Sequence, residues 1–149
     1  MNAKHQALLR WECNNIQNWL DAFDCAKPPQ ATLQASGETL VIKRFPMPDG
    51  FRPDHLNLAL VVKGFPMDPP KGIYLLKTSE NKSVIASLQT RFNIFNGRGF
   101  HGAASIDGFE WLCIGYLDGW QYNRSYPNRG DNIQKMLAEF WRLISERPS

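Results

Sequence analysis

The residues with chemistry to offer fall mostly in the second half of the chain. Cys113 comes first, because a thiol forms thioesters by exchange and gives them up to amines. It ends a glycine-bearing stretch and is flanked by Trp111, Leu112 and Ile114. Those neighbours suit a buried thiol equally well, since free cysteine is among the most buried residue types. His101 lies twelve residues earlier, in Arg98-Gly99-Phe100-His101-Gly102. A histidine there is either a base or a hydrogen-bonding strut for its loop. Phe65-Pro66-Met67-Asp68-Pro69-Pro70 is a rigid connector after a strand, because each proline fixes φ and removes a donor. Trp120, in Asp118-Gly119-Trp120, is either core or part of a binding face.

Other chemistries lack their residues. His5, His55 and His101 are scattered, and no CxxC or HxxxH pair offers metal-ligand spacing, so no metal is expected. There is no Walker-type glycine loop and no G-x-S-x-G elbow, and no cofactor is expected.

The elements that must hold these residues can be read from periodicity. Residues 5–24 predict a helix whose stripe is Leu9, Ile16, Trp19, Leu20 and Phe23, ended by Lys27-Pro28-Pro29. Residues 31–35 predict a short strand, Thr39–Phe45 a β-branched one, and Pro46 to Pro53 a turn-laden connection. In His55–Lys63 the residues Leu56, Leu58, Leu60 and Val62 alternate at period two, and Ile73–Leu76 follows as a short apolar strand. Together they predict a four-stranded antiparallel meander. Residues 77–110 show no period and predict a long irregular segment, of the kind that often carries function. From Asp131, an apt N-cap, the spacing of Ile133, Met136, Leu137, Phe140, Trp141 and Ile144 predicts a C-terminal helix.

Composition narrows the partners. The 149 residues form one domain, 1–149, by length. Net charge is +3 and the basic residues form no run, so nucleic-acid binding is not implied. No stretch is apolar enough for a membrane span, and the N-terminus is too polar for a secretory leader. A cytoplasmic location is therefore expected. An odd, unpatterned set of Cys13, Cys25 and Cys113 is no disulfide framework.

Taken in order, these pieces resemble the ubiquitin-conjugating enzymes. That family has an N-terminal helix, a four-stranded meander, a Tyr-Pro-x-x-Pro-Pro loop before the last strand, a His-Pro-Asn tripeptide, the catalytic cysteine, a tryptophan and C-terminal helices. Gly64-Phe65-Pro66-Met67-Asp68-Pro69-Pro70-Lys71 is similar to the proline loop, with Phe65 at the tyrosine. Phe100-His101-Gly102-Ala103 is similar to the tripeptide region, Ile106 to Cys113 to the approach to the cysteine, and Trp120 to the downstream tryptophan. The resemblance implies an α+β ubiquitin-conjugating fold with a long active-site loop. It implies Cys113 as nucleophile, His101 as loop support, and Phe65, Pro69, Pro70 and Trp120 as binding residues. It implies three protein partners: a ubiquitin-like protein, an adenylating activating enzyme and a target. Gly102 and Ala103 replace the tripeptide's proline and asparagine, and the His-to-Cys spacing is about two residues longer than usual. These departures point to a divergent bacterial branch, of the kind encoded in ubiquitin-like conjugation operons, some of which act in antiphage defence.

The family's asparagine stabilises the oxyanion, and its place is vacant here. Asn93, Asn96, Asn123 and the backbone amides beside Cys113 are alternatives; Asp118, Tyr116, Tyr122 and Tyr126 are candidates to orient the incoming amine. Two other readings remain: a non-catalytic module of the same fold that binds a ubiquitin-like protein, and a thiol hydrolase using Cys113 and His101. The histidine-first order differs from papain-like enzymes.

Overall fold

The alternating leucines of His55–Val61 sort to one face of a sheet, because successive side chains on a strand point to opposite sides. This segment is β3 in a computed structural model describing residues 3–90, 93–95, 103–113 and 119–146. Before it come α1 (Ala3–Leu20), β1 (Gln30–Leu33) and β2 (Thr39–Pro46). After it come β4 (Ile73–Leu76), α2 (Lys82–Leu88), β5 (Asn93–Phe95), β6 (Phe109–Cys113) and α3 (Ile133–Ser145). The six strands form one sheet in the order β1-β2-β3-β4-β6-β5, with every neighbouring pair antiparallel. The chain is thus α+β, with a helix at each end. β1 to β4 form the meander, and β6 and β5 extend the sheet beyond it.

That extension corrects the expectation of an irregular segment over 77–110. The segment contains α2, β5 and the start of β6. Asn81 begins α2 by bonding locally: it accepts from Thr78 N–H (2.9 Å) and donates to the Leu76 carbonyl (2.7 Å). Val84, Ile85 and Leu88 are then buried. Seven residues are less than two helical turns, too few for a period to emerge.

Leu56, Leu58, Leu60 and Val62 are at most 2% exposed. They share one core with Leu9, Ile16 and Leu20 of α1 and with Ile133, Met136, Leu137, Phe140 and Ile144 of α3. Trp141 lies only partly buried against that core, 5.5 Å from the Phe23 ring. α1 ends at Leu20 rather than 24, because Ala22 and Phe23 bond three residues back, to Trp19 and Leu20, tightening the chain into a turn. Asn132, not Asp131, caps α3: its side chain accepts from Lys135 N–H (2.8 Å), whereas Asp131 accepts from Gln121 N–H (2.7 Å).

The β1 edge is tied to α1. Ala31 N–H donates to Gln17 Oε1 (2.8 Å), Gln17 Nε2 donates to the Pro29 carbonyl (3.1 Å), and Leu33 N–H donates to the Cys13 thiol. Side chains of the helix thereby occupy donors that an open edge would offer to another strand. On the opposite sheet face, Ala59, Tyr74 and Trp111 form a second cluster, packed by Ala103, Ile106, Phe109 and Cys113. Among the described residues no helix is long and apolar enough to cross a membrane.

Candidate functional site

The proline loop follows β3 and turns tightly, with Asp68 N–H donating to the Gly64 carbonyl (2.9 Å) and a cis bond between Phe65 and Pro66. Its apolar residues turn inward. Phe65 is 2% exposed, and its ring meets Tyr122 edge-on at 4.8 Å. Trp120 stacks beside Tyr122 at 6.3 Å and donates its indole N–H to the Pro66 carbonyl (2.9 Å). Phe65 and Trp120, distant in sequence, are therefore parts of one aromatic cluster. Pro69 and Pro70 are buried as well. The side chain the loop presents to solvent is Met67, 76% exposed, whose sulfur accepts from Arg124 Nη2 at 3.7 Å.

At the loop's exit, the Lys71 carbonyl accepts the Trp111 indole N–H. Gly72 makes this approach possible. Its φ is +84°, and a Cβ there would lie 2.5 Å from Trp111 Nε1 and 2.6 Å from the Leu112 carbonyl oxygen. Only glycine combines that conformation with that proximity.

Cys113 is the last residue of β6, not part of a loop as its sequence surroundings suggested. It is partly buried and packs on the Ala59, Tyr74 and Trp111 cluster. Strand alternation puts it on the Trp111 face, two residues on. The register sets it opposite Asn93 of β5. Burial pushes its thiol above the ordinary range. Cys13 is raised by burial, partly offset by the Leu33 N–H; Cys25 is raised by burial, then by Asp24 and Asp54. Acidity thus does not single out Cys113; its position does. The two tryptophans flanking it in sequence, Trp111 and Trp120, each donate to a carbonyl of the same proline loop.

His101 lies outside the described residues, as do Gly102, Asn96, Tyr116 and Asp118. Asn123 spends its side-chain oxygen on Ser125 and Tyr126 N–H, at 3.1 and 2.9 Å. Tyr126 is 57% exposed, with the Arg129 guanidinium 4.3 Å above its ring. The Tyr122 hydroxyl is buried without a hydrogen-bond partner, and burial and nearby Glu12 disfavour its ionisation.

Glu12 does not stand out in the sequence. It is fully buried; Oε1 accepts the first N–H of α3, from Ile133, at 2.7 Å, while Oε2 has no partner. Burial pushes its carboxyl up to about 7 against the lowering effect of that bond. A signal was nonetheless present: position 12 falls on the stripe through Leu9, Ile16 and Leu20. Among the described residues no group of three or more His, Cys, Asp or Glu side chains could hold a metal. Comparison of the chain with protein-family models, with curated proteins and with solved structures finds no match.

Proposed function

We propose that this protein carries a ubiquitin-like protein as a thioester on Cys113 and transfers it to an amine on a target. One observation carries the reading: Trp111 and Trp120, on either side of Cys113, are both bonded to the proline loop, at Lys71 and Pro66. The thiol strand, the loop and the tryptophan segment thus form a connected set in the order that resembles a ubiquitin-conjugating enzyme.

The chemistry needs two steps. In loading, the Cys113 thiolate attacks the thioester carbonyl held on an activating enzyme; a new C–S bond forms and the activating enzyme's thiol leaves. In discharge, a target amine attacks the same carbon; a C–N bond forms, the C–S bond breaks, and the thiol is recovered. ATP is spent by the adenylating partner, so the chain itself requires no cofactor. A thiol raised by burial is compatible with this, since a small thiolate fraction suffices for exchange. Asn93, opposite Cys113 in the register, is the favoured replacement for the missing oxyanion donor. His101 is assigned to loop support. The setting proposed is the cytoplasm of a bacterium, in an operon-encoded conjugation system, with antiphage defence as its role.

The test is incubation with the activating enzyme, ATP and the ubiquitin-like partner encoded beside it. A reductant-sensitive adduct should form, and Cys113→Ser should convert it to a reductant-resistant ester or abolish it. An adduct retained unchanged in Cys113→Ser refutes the assignment. His101→Ala should load in part and discharge about 100-fold more slowly through lost positioning. Collapse of loading would instead make His101 the base.

A second reading, a non-catalytic module binding the ubiquitin-like protein, is favoured by the raised Cys113 thiol and by Ala103 at the asparagine's place. It predicts a stable complex on gel filtration and no adduct. A thiol hydrolase is the least supported, because hydrolytic cysteines rely on depressed rather than raised thiols. It predicts turnover of an isopeptide substrate without the activating enzyme.

A further inference from the structure

A cleft of about 460 Å³ opens where the turn after α1, the end of β2 with its following loop, and Trp141 of α3 meet. That volume falls in the range of ligand sites, roughly 300–1,000 Å³. Its apolar wall includes Phe23 and Trp141, whose ring centroids lie 5.5 Å apart. Three carboxylates, Asp24, Asp49 and Asp54, also line it. The cleft has two cationic side chains, Lys27 and Arg44, so it carries a negative excess in a chain whose net charge is +3.

Two observations sharpen that electrostatic picture. Arg44 is engaged in holding the backbone around it. Its Nε donates to the Pro28 carbonyl (2.7 Å), and its N–H donates to Asn57 Oδ1 (2.9 Å). It does so at a φ of 58°, in the bulge between Ile42 and Phe45, a conformation that costs a non-glycine residue about 1–3 kcal/mol. Asp54 accepts from His55 Nδ1 (2.9 Å), which keeps its carboxyl ionised, and Asp24 and Asp54 both act on the Cys25 thiol in the same cleft. An aromatic wall beside ionised carboxylates complements a cation borne on an aliphatic stem, through stem packing, ring–cation attraction and charge pairing. An anion would meet repulsion, and a neutral apolar group would leave the carboxylates unanswered.

We propose that this cleft binds a lysine or arginine side chain of a partner peptide, its stem along Phe23 and Trp141 and its cation among Asp24, Asp49 and Asp54. The site is separate from Cys113 and does not depend on the thioester reading.

The experiment is titration of the full-length protein, followed by calorimetry and by NMR of the Trp141 indole signal. The probes are blocked Gly-Lys-Gly, its arginine and norleucine analogues, and Gly-Glu-Gly. The lysine and arginine peptides should bind saturably and shift Trp141, and the norleucine and glutamate peptides should bind at least tenfold more weakly. Asp24→Asn with Asp54→Asn should weaken lysine-peptide binding at least tenfold. Equal binding of the norleucine or glutamate peptide overturns the proposal, as does lysine-peptide binding that leaves the Trp141 signal unmoved. The peptide comparison on the unaltered chain stands even where the double variant fails to fold.

Discussion

Gly72 and Gly108 share a φ of +84° yet face opposite surroundings, which makes them a matched pair. An added Cβ at Gly108 meets nothing within 4 Å; at Gly72 it meets Trp111 Nε1 at 2.5 Å and the Leu112 carbonyl at 2.6 Å. Gly108→Ala should therefore cost only the left-handed backbone term, about 1–2 kcal/mol. Gly72→Ala adds the displacement of a fully buried tryptophan and of backbone in β6, about 1–3 kcal/mol more. With a urea slope of about 2 kcal/mol per molar, the Gly108 variant should lose about 0.7 M in its unfolding midpoint and the Gly72 variant about 1.7 M. Urea unfolding followed by tryptophan fluorescence reads both. Because the displaced indole is the one bonded to Lys71, Gly72→Ala should also slow adduct formation at Cys113, while Gly108→Ala should not. Equal stability losses would mean that Trp111 does not pack on Gly72, and the proposed link from proline loop to thiol strand would fall with it.

Other expectations follow from single contacts. Glu12 titrates near 7 when folded and at an ordinary 4.5 when unfolded, so between those values the folded chain binds the extra proton. Stability should be highest below about pH 4.5 and fall by about 3 kcal/mol as pH rises through 7; Glu12→Gln should flatten that limb in urea midpoints and be the more stable form at pH 8. A steeper limb in Glu12→Gln would contradict the burial argument. Leu60→Ala should cost about 2–5 kcal/mol, since Leu60 is fully buried in the shared core. Cys13→Ala removes the acceptor of the Leu33 N–H and should cost about 1 kcal/mol by thermal unfolding, leaving adduct formation intact.

What could be read from the chain alone was whatever is local and repeats. The leucine alternation of β3 and the stripe of α3 each specify a face, and a face must be buried, so the meander, the terminal helices and their shared core were legible. Elements shorter than a period were not: α2 with seven residues and β5 with three gave no pattern to read. Neighbouring polar residues also compete on equal terms in sequence, and only the path of the chain into α3 decided that Asn132 caps it while Asp131 holds Gln121. At the site, residue types identified Cys113, the proline loop and Trp120 as candidates. Their connection was invisible, because it runs through backbone carbonyls that every residue carries. The pairing of β4 with β6 brings Trp111 over Gly72 and onto Lys71, and Glu12, an ordinary charge in sequence, becomes a buried acceptor only when α3 begins against α1. Those outcomes belong to tertiary structure for one reason: each depends on two segments meeting across a distance that no local pattern encodes.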